Sequence, residues 1–172
     1  FGPIARRVRE QLQGFAVDVV AYDPYVDAEE MAEADVEKVS LDELYERADY
    51  VSLHAPVTDD TRGMIDAGAL DAMGDETVLV NTGRGALIDE DALAEGLRAG
   101  TIAAAGLDVL RTEPPEADHP LIGLDNCIVT PHAAWYSVEA RADLNATIAE
   151  NVRVALAGET PPNYIDPDTD WL

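Results

Sequence analysis

Apolar residues along this chain follow two different spacings, and their alternation predicts a succession of strands and helices. Short apolar runs rich in β-branched residues are typical of buried strands, whereas apolar residues three and four positions apart are typical of helices that face a core. The predicted strands are 17–22, 50–53, 77–80, 103–107 and 128–129. The predicted helices are 5–12, 41–48, 89–99 and 138–157. Strands that alternate with helices indicate an α/β fold with a doubly wound parallel sheet.

Local capping signals mark several ends of these helices. Ser40 followed by Glu43 is the capping-box pattern that opens the helix 41–48. Acidic residues stand in the first turn of the helix 89–99, and Gly100 lies just past its end, where a left-handed residue is favoured. We therefore expect well-defined helix termini between the strands.

The beginning of the chain lacks one part of the α/β pattern. Residues 1–5, Phe-Gly-Pro-Ile-Ala, look like the end of a glycine fingerprint whose first glycine and preceding strand are missing. That strand lies near the centre of a doubly wound sheet, so the helix 5–12 and the strand 17–22 would lack a neighbour. We expect the chain to be a piece of a longer polypeptide, with the first strand absent or supplied separately.

The composition indicates a globular chain. Its 172 residues are 47% apolar, which suits one domain with a sizeable core, and no apolar run reaches membrane-spanning length. We expect a soluble, cytoplasmic protein with neither a membrane partner nor a metal site. The single cysteine, Cys127, lies in a short apolar strand and is expected to be a small buried core residue.

The charge balance is strongly acidic. Asp and Glu total 35 against 11 Lys and Arg, which gives a formal net charge of −24 spread along the chain. Such a field repels phosphate backbones, so nucleic acid is not an expected partner. Because dissolved ions screen repulsion between carboxylates, this composition favours a protein that works in a high-salt interior.

Three polar segments follow three successive predicted strands. They carry Arg84 between two glycines, Glu113 before Pro114, and His132 after Pro131. Since the carboxyl ends of parallel strands meet at one edge of a sheet, we expect these side chains to converge on one crevice. Arginine can hold a carboxylate by a bidentate fork, histidine can move a proton, and glutamate can orient and charge the histidine. This chemistry suits hydride transfer on a 2-hydroxy acid.

The other two histidines have less specific settings. His54 follows the strand 50–53, so it either faces a cofactor or is a satisfied loop histidine. His119, in the tripeptide Asp-His-Pro, is expected to lie on the surface.

Asp23 indicates which cofactor the chain prefers. It lies at the end of the strand 17–22, about twenty residues after Gly2. A carboxylate there accepts hydrogen bonds from an adenosine ribose and repels a 2′-phosphate, so NAD rather than NADP is the predicted cofactor. Taken alone, an aspartate before Pro24 also fits a simple turn.

Taken together, these motifs resemble those of the D-isomer-specific 2-hydroxyacid dehydrogenases. In order they are residues 1–5, 22–24, 52–56 with Thr61, 81–85, 106–109 with Glu113 and Pro114, and 130–132. The resemblance covers nearly the whole chain and implies a Rossmann-type NAD-binding domain, 1–136, truncated at its N-terminus. It also implies that residues 137–172 form a long helix and tail returning toward an absent substrate-binding domain, on which Trp171 would pack unless it packs on a partner.

The resemblance implies a role for each matching residue. Arg84 would bind the substrate carboxylate and carbonyl, His132 would be the general acid/base, and Glu113 its partner. The substrate pocket would include Arg84, His132 and Trp135. The cofactor-binding residues would be Gly2, Pro3, Ile4, Asp23, His54, Ala55, Pro56, Thr61, Thr82, Gly83, Arg84, Asp108, His132 and Ala134. Pro3 departs from many relatives, and because it has no N–H it puts cofactor affinity, rather than cofactor identity, in question.

The segment that begins at His132 distinguishes branches of this family. Its sequence, His-Ala-Ala-Trp-Tyr-Ser, is similar to the C-terminal-binding-protein branch, whereas phosphoglycerate dehydrogenases usually carry a leucine–glycine pair there. A phosphoglycerate dehydrogenase is thus the less favoured assignment. Trp135 either narrows the substrate pocket and favours an apolar or aromatic substrate, or packs in the core at the start of the last helix.

Two functions remain open for the complete protein. The first is an NAD-dependent oxidoreductase that interconverts a 2-oxo acid and a D-2-hydroxy acid by hydride transfer, with a histidine as acid/base. The alternative is an NAD(H)-sensing interaction module whose dimerisation or partner binding follows cofactor occupancy. The intact set of Arg84, Glu113 and His132 favours the enzyme, and the resemblance implies a homodimer.

Overall fold

A computed structural model describes residues 1–166 of the chain and divides it into two compact units. The first unit is Phe1–Pro131, and the second is His132–Leu172. Trp171 lies outside the described residues, so its expected packing stays a prediction.

The strands and the first five helices belong to the first unit. In chain order the helices are α1 (Pro3–Leu12), α2 (Ala28–Ala32), α3 (Leu41–Arg47), α4 (Ala67–Met73), α5 (Glu90–Ala99) and α6 (Val138–Leu156). The strands are β1 (Val20–Ala21), β2 (Glu37–Lys38), β3 (Tyr50–Leu53), β4 (Val78–Asn81), β5 (Ala104–Leu107) and β6 (Cys127–Val129). A short 3₁₀ helix, Gly85–Leu87, lies between β4 and α5.

The strands form two parallel sheets, which confirms the predicted α/β fold. β1 pairs with β2, and the larger sheet has the order β3-β4-β5-β6. In a doubly wound sheet, the strand before the glycine fingerprint lies between the strands equivalent to β1 and β3. In the described structure these two strands are not paired with each other, α1 buries no residue, and Tyr50 is 75% exposed. β1 and β3 are therefore edge strands of two separate sheets.

The region between β1 and α3 contains more structure than its pattern predicted. The predicted strand 17–22 is reduced to Val20–Ala21, and α2 and β2 were not predicted. Only isolated apolar side chains are buried there, such as Met31 and Val36, and such short elements give no clear periodicity. α4 was also missed, although Leu70 and Met73 on its inner face are buried.

The core of the first unit lies between the larger sheet and the helices α3, α4 and α5. Its residues that are least exposed are Ile65, Leu70, Leu79, Leu87, Leu93, Ile102 and Leu121. Full burial of each such side chain contributes roughly 1.5–3 kcal/mol to folding. Cys127 packs against this core but is half-buried rather than fully buried, and its burial raises the pKa of its thiol.

The predicted helix termini are confirmed in detail. Ser40 and Glu43 form a reciprocal capping box at the start of α3. Gly100 ends α5 with φ of 76°, in the left-handed region. In the second unit, the Ser137 hydroxyl accepts a hydrogen bond from the Ala140 N–H and caps α6. Across residues 1–166, no helix has both the length and the apolar character needed to cross a membrane.

Candidate functional site

The four strands of the larger sheet end at the same level. Their last residues are register partners: Leu53, Asn81, Leu107 and Val129. The residues that follow begin four loops: His54, Thr82, Asp108 and Thr130. These loops therefore start side by side at the carboxyl edge, which is where open α/β sheets bind their ligands. Arg84 and Glu113 belong to the second and third of these loops.

Asn81 shapes the turn that carries Arg84. Its side chain is fully buried, its Nδ2 donates to the Arg84 carbonyl at 2.9 Å, and its Oδ1 accepts from the Gly83 N–H at 3.0 Å. The Arg84 side chain stays exposed, with one guanidinium N–H on the Gly83 carbonyl at 2.8 Å. No role was predicted for Asn81, although an asparagine directly after a buried strand and before glycine was the available signal.

The glycines on either side of Arg84 are needed for contacts within the protein. A Cβ at Gly85 would lie 2.0 Å from the carbonyl carbon of Leu110, and a Cβ at Gly83 would lie 3.3 Å from the Leu53 carbonyl oxygen. Glycines beside a polar residue can also allow a ligand to approach the backbone closely. The structure instead shows at Gly85 a close approach of two loops, which ties the Arg84 turn to the loop that carries Glu113.

The loop after β5 is held by hydrogen bonds to its backbone and to Asp108. Asp108 is 5% exposed; its N–H donates to the Asn81 carbonyl at 2.9 Å, and its Oδ1 accepts from the Thr130 hydroxyl at 2.5 Å. Further along, Glu113 Oε1 accepts from the Leu110 N–H at 2.9 Å. Glu113 is therefore folded back on its own loop.

His119 is not the surface residue that its sequence setting predicted. Its side chain is 11% exposed, and its Nε2 lies 3.3 Å from Oε2 of Glu90, a carboxylate buried in the first turn of α5. The other Glu90 oxygen accepts from the Arg111 N–H at 2.6 Å. The surface prediction is wrong because the partner of His119 lies 29 residues away, where no local pattern reveals it.

The loop after β3 carries four of the predicted cofactor residues. His54 is partly buried, and its Nε2 lies 2.9 Å from the Ser52 hydroxyl. Burial lowers the pKa of His54. The Thr61 hydroxyl donates to the Pro56 carbonyl at 2.7 Å, so Thr61 closes the loop on itself. Ala55 lies between His54 and Pro56 and packs against the core.

The start of α1 and the end of β1 offer chemistry that suits a dinucleotide. Gly2 caps α1, no acidic residue stands in the first turn, and nothing lies within 4 Å of a Cβ built on Gly2. A helix N-terminus of this kind favours an anion such as a pyrophosphate. Pro3 at the first helical position removes one N–H, and Ile4 beside it is 68% exposed.

The Asp23 carboxylate is held in its charged form. It contacts the Phe1 amine and accepts from the Tyr25 N–H at 2.8 Å. Burial raises the pKa of Asp23, whereas the hydrogen bond from the Tyr25 N–H lowers it. An ionised acceptor two residues past β1 fits the hydroxyls of a ribose, so the donor and acceptor set fits NAD.

The remaining predicted residues lie at the start of the second unit. His132 has φ of 52°, in the left-handed region that residues other than glycine rarely adopt. After Ala134, the rings of Trp135 and Tyr136 pack edge to face with centroids 5.4 Å apart. Each ring residue is 53% exposed, so within the described chain Trp135 is not the core residue that one interpretation required.

Three features define the class of domain: a parallel sheet with polar loops at its carboxyl edge, a helix terminus suited to an anion, and an acidic residue suited to a ribose. Together they are typical of a dinucleotide-binding domain. Comparison with known proteins identifies the family. The model of the "D-isomer specific 2-hydroxyacid dehydrogenase, NAD binding domain" matches residues 1–134. The chain therefore belongs to the D-isomer-specific 2-hydroxyacid dehydrogenase family, as its NAD-binding domain, which confirms the resemblance and the predicted cofactor.

Individual relatives differ in their substrates. The chain is 42% identical to a D-3-phosphoglycerate dehydrogenase of Mycobacterium leprae, over 97% of this chain and 31% of that protein. It is 40% identical to a glyoxylate reductase of Korarchaeum cryptofilum, over 97% of this chain and 50% of that protein. The structure of a D-lactate dehydrogenase from Treponema pallidum matches with a TM-score of 0.89 at 32% identity, over 96% of this chain and 54% of that one.

These comparisons also give the share of the relatives' length that the chain covers, and they bear on the expected substrate. The chain spans between about a third and a half of the length of the curated relatives it matches. Since one of them is named D-3-phosphoglycerate dehydrogenase, the expectation that this activity is the less favoured one is not confirmed.

Proposed function

We propose that this chain is the cofactor-binding part of an enzyme that interconverts a 2-oxo acid and a D-2-hydroxy acid. The observation that carries the proposal is the common level at which β3, β4, β5 and β6 end, because it brings the loops of Arg84 and Glu113 to one edge of the sheet. Family membership supports the class of reaction. A substrate-binding domain would complete the site.

In this proposal, NAD binds across the carboxyl edge. The N-terminus of α1, at Gly2, Pro3 and Ile4, would hold the pyrophosphate, and Asp23 would hold a ribose. The other cofactor-binding residues would be His54, Ala55, Pro56, Thr61, Thr82, Gly83, Asp108 and Ala134. When bound, the nicotinamide supplies or accepts the hydride, and the protein supplies placement.

The chain's own residues would bind the substrate and move the proton. The Arg84 guanidinium, presented by the Asn81 turn, would hold the substrate carboxylate and polarise the neighbouring carbonyl. His132 would donate a proton to the carbonyl oxygen during reduction and take it back during oxidation. Glu113 would favour the protonated imidazole and fix its tautomer.

The backbone of His132 supports a functional role for this residue. A non-glycine residue with φ of 52° costs free energy, of the order of 1–3 kcal/mol, that the surrounding structure must offset. Such positions cluster at active sites. Pro131 restricts the backbone just before His132, so the backbone position from which the imidazole extends is constrained.

Trp135 supports a proposal about the substrate. Its exposed ring would form a flat wall next to His132 in sequence, which favours a 2-oxo acid with an apolar or aromatic side chain. Phosphorylated and small 2-oxo acids belong in the same test, because relatives are named for such activities.

The setting of the enzyme is part of the proposal. A net charge of −24 suits an enzyme in a cytoplasm of high ionic strength, because dissolved ions there screen the repulsion between carboxylates. We also propose a homodimer, as the family resemblance implies.

The test is turnover by the complete enzyme in concentrated KCl, with NADH and a panel of 2-oxo acids that includes phenylpyruvate, pyruvate, glyoxylate and 3-phosphohydroxypyruvate. Arg84→Gln should lower kcat/KM by about 100-fold or more, because it removes the charge that holds the carboxylate. Arg153→Gln is the matched control, since Arg153 pairs only with Glu150 on the surface of α6 in the described structure.

The alternative function gives a different result in the same assay. A protein that binds NADH tightly and changes its oligomeric state with occupancy, but reduces none of these acids, would be the NAD(H)-sensing module. In that case Arg84→Gln and His132→Asn would have no turnover to lower, and assembly would still follow NADH occupancy.

A further inference from the structure

The backbone of Leu110 and Arg111 is held by three contacts. Gly85 packs so closely against it that an added Cβ would lie 2.0 Å from the carbonyl carbon of Leu110 and 2.3 Å from the Arg111 nitrogen. The Leu110 N–H donates to Glu113 at 2.9 Å, and the Arg111 N–H donates to Glu90 at 2.6 Å. Two carboxylates thus bind two successive backbone N–H groups, while a glycine packs against the peptide that links them.

The Glu90 carboxylate is buried and paired at both oxygens, which fixes its position at this contact. Its side chain is only 7% exposed, and both of its oxygens have partners. One oxygen accepts from the Arg111 backbone, and the other faces His119 Nε2 at 3.3 Å and Arg111 Nε at 4.0 Å. Burying a carboxylate is costly unless it is paired and hydrogen-bonded, so its position is closely determined by these partners.

The clamped peptide connects two residues of the proposed site. Gly85 directly follows Arg84, and Glu113 is bonded to Leu110. A shift of the peptide therefore changes the place of Glu113 relative to the Arg84 turn. The cost is steep, because a displacement of about 1 Å in a reacting group can lower a rate by about 100-fold.

We infer that Glu90, whose carboxylate is paired with His119, is a positioning residue that holds the Glu113 loop against the Arg84 turn. This inference rests on the proposed function for its effect on turnover. Its structural part, the bond from the Arg111 N–H to the Glu90 carboxylate, is measurable without any activity.

The experiment compares Glu90→Ala, Glu90→Gln and Asp91→Ala in the complete enzyme. Asp91 is the matched control, because it is the next carboxylate in the first turn of α5 but is exposed. We expect Glu90→Ala to lower kcat by about 100-fold while the dissociation constant for NADH changes by less than about threefold. Glu90→Gln keeps an acceptor for the Arg111 N–H and should recover kcat to within about 10-fold of the parent enzyme. Asp91→Ala should behave like the parent enzyme.

Amide hydrogen exchange supplies the second measurement. Glu90→Ala should raise the exchange rate of the Leu110 and Arg111 amides at a pH where the protein stays folded, and Glu90→Gln should raise it less. The inference is wrong if these amides exchange as in the parent, if kcat is unchanged in Glu90→Ala, or if Asp91→Ala loses as much. Loss of NADH binding in step with kcat would reduce Glu90 to a structural residue and also overturn it. If the parent protein reduces no 2-oxo acid, the proposed function fails, and the exchange rates still decide whether the clamp exists.

Discussion

In the proposed function, the Asp23 carboxylate sets the preference for NAD over NADP. Asp23→Asn keeps an oxygen that can accept from the Tyr25 N–H at the turn but removes the negative charge. We expect NADH affinity to fall by about 10-fold, since charge-assisted hydrogen bonds contribute about 1.5–3 kcal/mol, and discrimination against NADPH to shrink. Fluorescence titration with both cofactors measures this. Asp27→Asn, which removes the same charge nearby, should leave both affinities unchanged, and equal binding of NADPH by the parent would contradict the role of Asp23.

His54 links the loop after β3 to pH. Burial lowers the pKa of His54 below its ordinary 6.5. The unfolded chain therefore binds a proton near pH 6.5 that the folded chain does not, so stability falls as the pH drops through this value. His54→Gln should lose less stability than the parent between about pH 7.5 and pH 5.5 in urea unfolding. Identical pH dependence in the two proteins would show that His54 titrates alike in both states.

At the scale of elements, the 3₁₀ helix Gly85–Leu87 is the point where two loops meet. Gly85→Ala would force a Cβ into the Leu110 backbone, so we expect the free energy of unfolding to fall by about 2–3 kcal/mol and kcat to fall with it. Gly106→Ala in β5 is the control, because nothing lies within 4 Å of its added Cβ. Thermal unfolding and turnover of the two variants measure the difference. Equal stability of the two variants would contradict the packing described for Gly85.

Elements with regular patterns could be predicted from the sequence, and those held by distant contacts could not. β3, β4 and β5 appear in the sequence as short apolar runs because they lie in a parallel sheet. The capping box of α3 is a purely local signal. β2 has no apolar run, since its residues are Glu37 and Lys38, and only its pairing with β1 defines it. The candidate site shows the same difference. The segment that carries Arg84 could be predicted from its local sequence, whereas the pairing of Glu90 with His119 joins residues far apart in the chain and could not.

The whole molecule is dominated by its negative charge. With 35 acidic against 11 basic residues, the folded chain repels itself, and salt screens this repulsion. We expect the unfolding temperature to rise continuously as KCl increases from about 0.1 M to about 2 M, a range over which the screening length falls below about 3 Å. Differential scanning fluorimetry across this range measures the effect. A flat or falling temperature would show that the carboxylates are not adapted to salt.

The proposed reaction requires Arg84, Glu113 and His132 to act on one 2-oxo acid beside NAD. The most direct measurement follows deuterium into the product from NADH that carries deuterium at both C4 positions, together with the handedness of that product. We predict a D-2-hydroxy acid with deuterium at C2, formed about 100-fold or more slowly by His132→Asn, a substitution that suits the left-handed backbone at this position. An unlabelled or L-configured product, or an unchanged rate in His132→Asn, would contradict it.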